Sequence, residues 1–173
     1  MKNLKLMMMT LMMSLLFVSF SQNENKITNN IFNTTLKSGI GEEIKLGFKI
    51  SFDDIEKIQK TQVYKNWDST TFNNPKNKDY VEKWKHLTHI ETFLMSNTTM
   101  ASFWVQIKCK NSNSYSPISG EGGFIYVNDK NEIVISFPMK AQNDYGNFII
   151  SKGYYRIKWN DDTSKSETEA FIY

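Results

Sequence analysis

The 173-residue chain contains one cysteine, one arginine and three prolines, and the first two scarcities limit what it can be. A single cysteine, Cys109, cannot form an internal disulfide, so we expect packing rather than cross-links to stabilise the fold. Arg156 is the sole arginine among 21 basic residues. Arginine is the side chain preferred for bidentate contacts with phosphate, so the composition disfavours phosphate recognition.

A long apolar run occurs once, at the N-terminus. Two lysines precede an almost continuous apolar segment from Leu6 to Phe20, which is the pattern of an export signal. The run is shorter than the roughly 20 residues that a membrane-spanning helix needs. We therefore expect residues 1–21 to be a signal peptide, cleaved after Ser21, and the protein to be periplasmic or extracellular without a transmembrane segment. An uncleaved membrane anchor is the alternative.

Loss of this segment leaves a nearly neutral chain. The formal net charge falls from +3 to +1, because two lysines and no acidic residues are removed. Nucleic-acid binding needs basic residues clustered on one face, and here the lysines are spread among acids. We expect no nucleic-acid partner. No glycine-rich nucleotide loop or catalytic motif is present, so no cofactor is implied.

The remaining chain predicts a flexible leader at residues 22–36, which are rich in Asn and Thr, followed by a single globular domain at 37–173. Strict alternation from Glu43 to Phe52 is typical of a half-buried strand. The paired acids that follow are typical of a short helical turn, and residues 61–78 are predicted to be mostly loop.

One amphipathic helix is predicted at residues 79–95, where apolar residues recur every three or four positions. Short alternating segments then predict strands. These are Ala101–Lys110, Gly122–Val127, Glu132–Lys140, Asn147–Ser151, Tyr154–Trp159 and Glu167–Tyr173. The short turns between them imply a meander.

The predicted fold class is α+β, with an N-terminal strand, one main helix and a curved antiparallel sheet of about five or six strands. Pro138 has no N–H to donate, so its strand is expected to be an edge or to contain a bulge.

Two sets of residues suggest chemistry, and each has a simpler interpretation. Glu82, His86 and His89 are four and three residues apart, which places them on one face of the predicted helix as a weak metal-site candidate. That face is hydrophilic, so solvent exposure is the simpler interpretation. Cys109 continues an apolar row, which favours a small core residue over a nucleophile, and an intermolecular disulfide is the alternative.

Aromatic residues make up 14% of the chain, and some of them fall on polar positions of predicted strands or turns. Trp104, Tyr145, Tyr154 and Arg156 are the candidates for an aromatic-polar surface. The first hypothesis is thus a small non-enzymatic binding domain for a carbohydrate, a peptide or a surface protein. The alternatives are a small secreted hydrolase whose site assembles only in space, and an envelope-associated structural protein that pairs through a sheet edge.

Overall fold

A computed structural model describes residues 27–28, 30–72 and 74–173, so the predicted signal peptide lies outside the described residues. The N-terminal strands are β1 (Ile27–Thr28), β2 (Ile31–Lys37) and β3 (Glu43–Lys49). Four helices follow: α1 (Phe52–Lys60), α2 (Gln62–Thr71), α3 (Lys78–Lys83) and α4 (His89–Lys108). The C-terminal strands are β4 (Ser116–Pro117), β5 (Gly120–Val127), β6 (Ile133–Gln142), β7 (Phe148–Asn160) and β8 (Lys165–Ile172). Within the described residues, these strands form one eight-stranded sheet.

The sheet is mixed, and its strand order is β1-β2-β3-β5-β6-β7-β8, with the short β4 paired to β6. All pairings are antiparallel except that of β3 with β5, which is parallel. A parallel pair needs a long crossover, and the helices supply it. The predicted α+β class and the C-terminal meander are therefore confirmed. The meander runs from β5 to β8, and the two segments predicted at 147–151 and 154–159 are one strand, β7.

The N-terminal part of the fold begins earlier than predicted. Residues 31–36 are not a flexible leader, because they lie in β2, which pairs with β3 along its whole length. Phe32, Thr34 and Leu36 are buried on one side of this strand. Residues 22–26 of the predicted leader lie outside the described part of the chain. The predicted strand at 43–52 is confirmed as far as Lys49, but Phe52 begins α1 and is 67% exposed.

The region predicted as loop contains a helix. Ser51 is the N-cap of α1, and Thr61 is the N-cap of α2, accepting a hydrogen bond from the Tyr64 N–H. Hydroxyl side chains at such positions satisfy backbone donors that have no partner within the helix. Residues 62–71 are thus helical, and the polar residues that suggested a loop lie on the solvent side of a helix that buries Val63 and Tyr64.

The main helix lies about ten residues further along the chain than predicted. Trp84–Thr88 form a turn, and α4 begins at His89 behind a capping box in which Thr88 and Glu91 satisfy each other's backbone N–H groups. The helix then continues through residues 101–108, which were predicted to be a strand. Ala101 and Val105 are buried four residues apart, as on one helix face, whereas Ile107 is 49% exposed.

Pro138 was expected to mark an edge strand or a bulge, and neither is found: β6 lies inside the sheet between β5 and β7, and its register with β7 runs through Pro138 without a shift. The Pro138 carbonyl accepts a hydrogen bond from the Ile118 N–H on the side of β4. The backbone N–H and C=O of one residue in an antiparallel strand point toward the same neighbouring strand. The position of the N–H that Pro138 lacks therefore faces the junction where β4 ends and β5 begins. A central strand tolerates proline there because its neighbour changes at that point.

Candidate functional site

The sheet has two different faces. An added Cβ at Gly153 would lie 2.7 Å from Cγ1 of Val105, so α4 packs directly against the odd-numbered side of β7. This helix-covered face contains the buried residues of the central strands, including Ile135, Phe137 and Tyr155. Side chains at even positions of β5, β6 and β7, and those paired with them at odd positions of β3 and β8, point the other way. We call that side the open face and define it by the residues Lys49, Phe124, Tyr126, Lys152, Tyr154, Arg156 and Phe171.

Strand register brings aromatic residues together on the open face. Tyr154 pairs with Phe171 across β7 and β8. Their rings are stacked at a centroid distance of 5.3 Å and an interplanar angle of 7°. Tyr173 meets both rings edge-on, at 5.6 and 5.4 Å, and is itself 81% exposed. Such pairs add to stability beyond the area they bury. The aromatic residues therefore form an ordered cluster at the surface.

Lysines flank a second ring on the same face. The Lys152 Nζ lies 5.1 Å from the centroid of Phe124 and 5.7 Å from that of Tyr154, and the Lys49 Nζ lies 6.0 Å from Phe124. Phe124 is 40% exposed. Among the described residues, neither ammonium group forms a salt bridge. Two ammonium groups without a salt bridge among these described residues thus lie beside one exposed aromatic ring, at distances typical of cation–π contacts.

Two further cations of this side of the sheet, Arg156 and Lys158, are paired with acidic residues. Arg156 forms a salt bridge with Glu169 and a second one with Glu132 at 3.5 Å. Lys158 pairs with Glu167 at 2.9 Å, and its hydrogen bond lowers the pKa of the Glu167 carboxyl. Arg156 also lies over the ring of Phe171, 5.9 Å from the centroid. Its guanidinium therefore holds the open face together and is not free to bind an acidic ligand.

A pocket of about 480 Å³ adjoins Phe124 on the open face. Ile31, Phe124 and Tyr126 supply apolar lining, and Lys49 and Asp54 supply one charge of each sign. Asp54 is fixed in place because one carboxylate oxygen accepts a hydrogen bond from the Val127 N–H at 3.1 Å. The arrangement can bind an apolar group beside a polar or acidic one.

The structure brings together two of the four predicted surface residues. Tyr154 and Arg156 lie on the open face, as their spacing predicted. Trp104 instead lies on α4, half-buried against the core, with its ring 5.5 Å from that of Phe103. Tyr145 is 88% exposed but lies in the turn before β7, remote along the strand from Tyr154. Trp104 was misplaced because its segment is a helix and not a strand.

The weak metal-site candidate is not assembled. Glu82 lies in α3, where it pairs with Lys85, His86 lies in the following turn, and His89 begins α4. The helix break separates their faces. Within the described residues, no group of three or more histidine, cysteine or acidic side chains is placed to hold a metal ion.

His89 makes a contact that the sequence did not indicate. Its Nδ1 lies 2.7 Å from Oδ1 of Asp68, and its ring is stacked on Phe72 at a centroid distance of 3.9 Å. Asp68 lies in α2 and Phe72 directly follows it, both within the region predicted to be a loop. The imidazole is therefore oriented by a carboxylate on one side and by a ring on its face, while half of the side chain stays exposed.

Cys109 is a core residue, although it ends a helix and does not lie in a strand. It is 8% exposed, and its thiol donates a weak hydrogen bond to the Val105 carbonyl at 3.4 Å. Burial raises the pKa of the thiol to about 11. A nucleophilic cysteine needs a lowered pKa, so this site lacks the required environment.

Phe124, Lys152 and Phe171 were missed by sequence reasoning. Each falls on the side of its strand where alternation shows only that the residue points away from the core. Their proximity arises from the register that aligns Phe124 with Ser136 and Ser136 with Tyr154. The available signal was Lys152, a lysine two residues before Tyr154 and therefore on the same side of the strand as that aromatic residue.

None of the helices in the described part of the chain is long and apolar enough to cross a bilayer. The chain matches no protein-family model, and it is significantly similar to no curated protein and to no solved structure.

Proposed function

We propose that this chain is an exported, non-enzymatic binding domain whose open face binds an acidic, partly apolar segment of a peptide or a surface protein. The observation that carries the proposal is the exposed ring of Phe124 between Lys49 and Lys152, next to an apolar pocket. Acidic groups complement the two ammonium groups, and apolar side chains fill the pocket.

The ring geometry favours a peptide over a carbohydrate. A sugar stacks on a free ring face. Here Tyr154 and Phe171 each cover one face of the other, and cationic groups lie over both of these rings and over Phe124. A peptide needs no such free face, because its side chains contact ring edges and enter the pocket between them.

The test measures binding of defined probes by titration calorimetry. We expect a peptide of alternating Glu and Phe to bind, and a Lys/Phe peptide, a neutral oligosaccharide and a uronic-acid oligosaccharide to bind weakly or not at all. Lys152→Glu should weaken peptide binding by about tenfold or more, since it replaces attraction by repulsion. The matched control is Lys65→Glu, a change at an exposed lysine of α2 on the other side of the molecule.

A second pair of variants tests the apolar part of the site. Phe124→Ala should weaken binding, whereas Ile107→Ala, at an exposed residue of α4 on the opposite side of the sheet, should not. Preferential binding of the uronic-acid oligosaccharide would replace the peptide by a carbohydrate ligand. Binding that survives both open-face substitutions, or no binding of any probe, would contradict the proposed face.

Export is tested separately. After expression of the full sequence in its host, the recovered protein should begin at Gln22 when sequenced from its N-terminus. Retention of Met1, or recovery from the cytosol, would contradict an exported domain.

One observation favours a second candidate function, hydrolysis. A carboxylate that orients a histidine, as Asp68 does His89, is the arrangement used for general-base catalysis. A pocket of about 560 Å³ next to it includes Phe72 and Asp79 in its lining. Hydrolysis of p-nitrophenyl ester probes that is lost in His89→Gln and in Asp68→Asn would support this candidate. Absence of turnover, or turnover unchanged in both variants, would remove it.

A further inference from the structure

The strand β7 extends beyond its neighbour β8. Pairing of the two strands runs from Asn160 to Gly153, and Lys152 adds a last pair of backbone hydrogen bonds with Tyr173 at 2.8 and 3.0 Å. Within the described part of the chain, residues 148–151 pair with β6 on one side and with no strand on the other. This segment is therefore a sheet edge.

The backbone groups that face outward at this edge can be identified. Both the N–H and the C=O of Lys152 point toward β8, because both bond to Tyr173. Alternate residues of a strand direct their backbone groups to the same side. Phe148 and Ile150 therefore present their N–H and C=O groups at the edge, whereas Ile149 directs its own toward β6, where it is paired with Ala141.

The side chains of this edge are apolar and exposed. Phe148 is 61% exposed, Ile149 46% and Ile150 75%, and Tyr145 in the preceding turn is 88% exposed. Proteins commonly protect edge strands with charged residues, prolines or bulges. Residues 148–150 contain none of these, so the edge can pair with another strand.

We propose that a second copy of this chain pairs with the edge, antiparallel, with the twofold axis passing beside Ile149. Phe148 of each copy then lies opposite Ile150 of the other. Each of these pairs exchanges two backbone hydrogen bonds, and the two Ile149 residues face each other as a non-hydrogen-bonded pair. The two sheets become one continuous sheet.

The register follows from which groups are occupied. An axis at Ile150 would oppose Phe148 to Lys152, whose backbone groups are bonded to Tyr173. An axis at Phe148 would oppose Ile150 to Gly146, whose N–H bonds to the Asn143 carbonyl within the turn. Only the axis at Ile149 pairs Phe148 and Ile150 of one copy with Ile150 and Phe148 of the other.

The side chains of two copies complement each other in this register. On the open-face side, Phe148 of one copy meets Ile150 of the other, and on the opposite side the two Ile149 side chains meet next to Ala141. Lys140 is the neighbour of Ile150 within its own sheet, and in the dimer two further strands separate it from the Lys140 of the second copy. The pairing thus matches apolar residues and opposes no like charges.

A consequence of this symmetry is a doubled binding surface. Residues that pair across an antiparallel junction point to the same side, so the open faces of both copies lie on one side of the joined sheet. A ligand with two binding segments would then bind both faces and gain avidity. The dimer itself does not depend on any ligand.

The first test is a concentration series by sedimentation equilibrium on the purified full chain, as recovered after export. We expect a monomer–dimer equilibrium in the unmodified protein. Ile150→Lys should raise the dissociation constant by about tenfold or more, because each dimer loses two apolar cross-strand contacts. Ile40→Lys changes an isoleucine that is 70% exposed in the turn between β2 and β3, and should change the constant by less than about twofold.

The second test reads the register. Cα atoms of a non-hydrogen-bonded antiparallel pair are about 4.5 Å apart, which suits a disulfide. Ile149→Cys should therefore cross-link with its own copy under mild oxidation. Ile150→Cys should cross-link far more slowly, because residue 150 of one copy lies opposite residue 148 of the other, so the two introduced cysteines are two positions out of register. Cys109 can remain, since it is buried and its raised pKa keeps the thiol unreactive near neutral pH.

Several outcomes would overturn the proposal. These are a monomer at all concentrations, a dimer that Ile150→Lys leaves intact, and cross-linking that is as fast at Ile150 as at Ile149. A monomer whose edge instead binds an extended peptide of another protein would also replace the second copy as the occupant.

Discussion

The two faces of the sheet are built from alternate residues of the same strands, yet they differ in how side chains meet their surroundings. On the helix-covered face, Ile135 and Phe137 are fully buried, and Tyr155 is 3% exposed. In β5, Ile125 on the covered face is 1% exposed, whereas its neighbours Phe124 and Tyr126 on the open face are 40% and 37% exposed. Both faces are rich in aromatic residues, so composition alone does not distinguish them.

This difference in exposure between the two faces shows where apolar residues stabilise the fold and where they remain available to a ligand. Burial of a ring removes its whole apolar area from water, and the gain is proportional to that area. A ring that keeps two fifths of its surface exposed contributes less to stability and retains area that a ligand can cover. The open face also carries Lys49 and Lys152 beside its rings, whereas the central residues of the covered face are apolar.

The largest effect that separates the two faces is expected from matched phenylalanine truncations. Phe137 is fully buried and contacts Phe48 edge-on at 6.1 Å, so Phe137→Ala should lower the free energy of unfolding by about 3–5 kcal/mol. Phe124→Ala removes a ring of the same size that is only about three fifths buried, and should lower it by about 1–2 kcal/mol. Urea unfolding followed by circular dichroism measures both values. Equal losses would show that the open face is as much a part of the core as the covered one.

A smaller effect is expected where α4 meets the sheet. Gly153 allows Val105 to approach β7, and a methyl group there would lie 2.7 Å from Cγ1 and 3.2 Å from Cγ2 of that side chain. Gly153→Ala should therefore lower the free energy of unfolding by about 1–3 kcal/mol, as overpacked cores do. The double variant with Val105→Ala should recover part of the loss, because it removes both clashing methyl groups.

No recovery in the double variant would mean that the loss has another origin than the helix–sheet contact. Thermal unfolding of the two single variants and the double variant gives the coupling directly. A destabilisation below about 0.5 kcal/mol for Gly153→Ala would indicate that α4 packs less closely on this face than described.

The meander was predictable because its signal is local. Alternating apolar residues and the turn at residues 128–131 predict β5, β6 and the hairpin between them, and Ile133, Ile135, Phe137 and Met139 are all buried as expected. The strand β2 escaped notice because Thr34 occupies the middle of its buried row, and a polar residue there hides the period of two.

The helix α4 was misplaced because two periodicities share residues. Ala101 and Val105 are four apart, which satisfies both a strand and a helix, and the capping box of Thr88 and Glu91 was the signal that distinguishes them. The open face was half predictable. Spacing placed Tyr154 and Arg156 on one side of β7, but their neighbours come from other strands, and strand register is a property of the folded sheet and not of a local pattern.

The smallest effect concerns the stacked pair of the open face. Tyr154 and Phe171 are cross-strand neighbours with nearly parallel rings, so their interaction should contribute about 0.5–1 kcal/mol beyond the two single truncations. A double-mutant cycle with Tyr154→Ala and Phe171→Ala measures this coupling by urea unfolding. The matched cycle pairs Tyr154→Ala with Tyr145→Ala, an exposed ring in the turn before β7, and should give no coupling. If the pair is uncoupled, the rings are not held against each other, and the ring faces that the peptide proposal treats as covered are free to stack on a sugar.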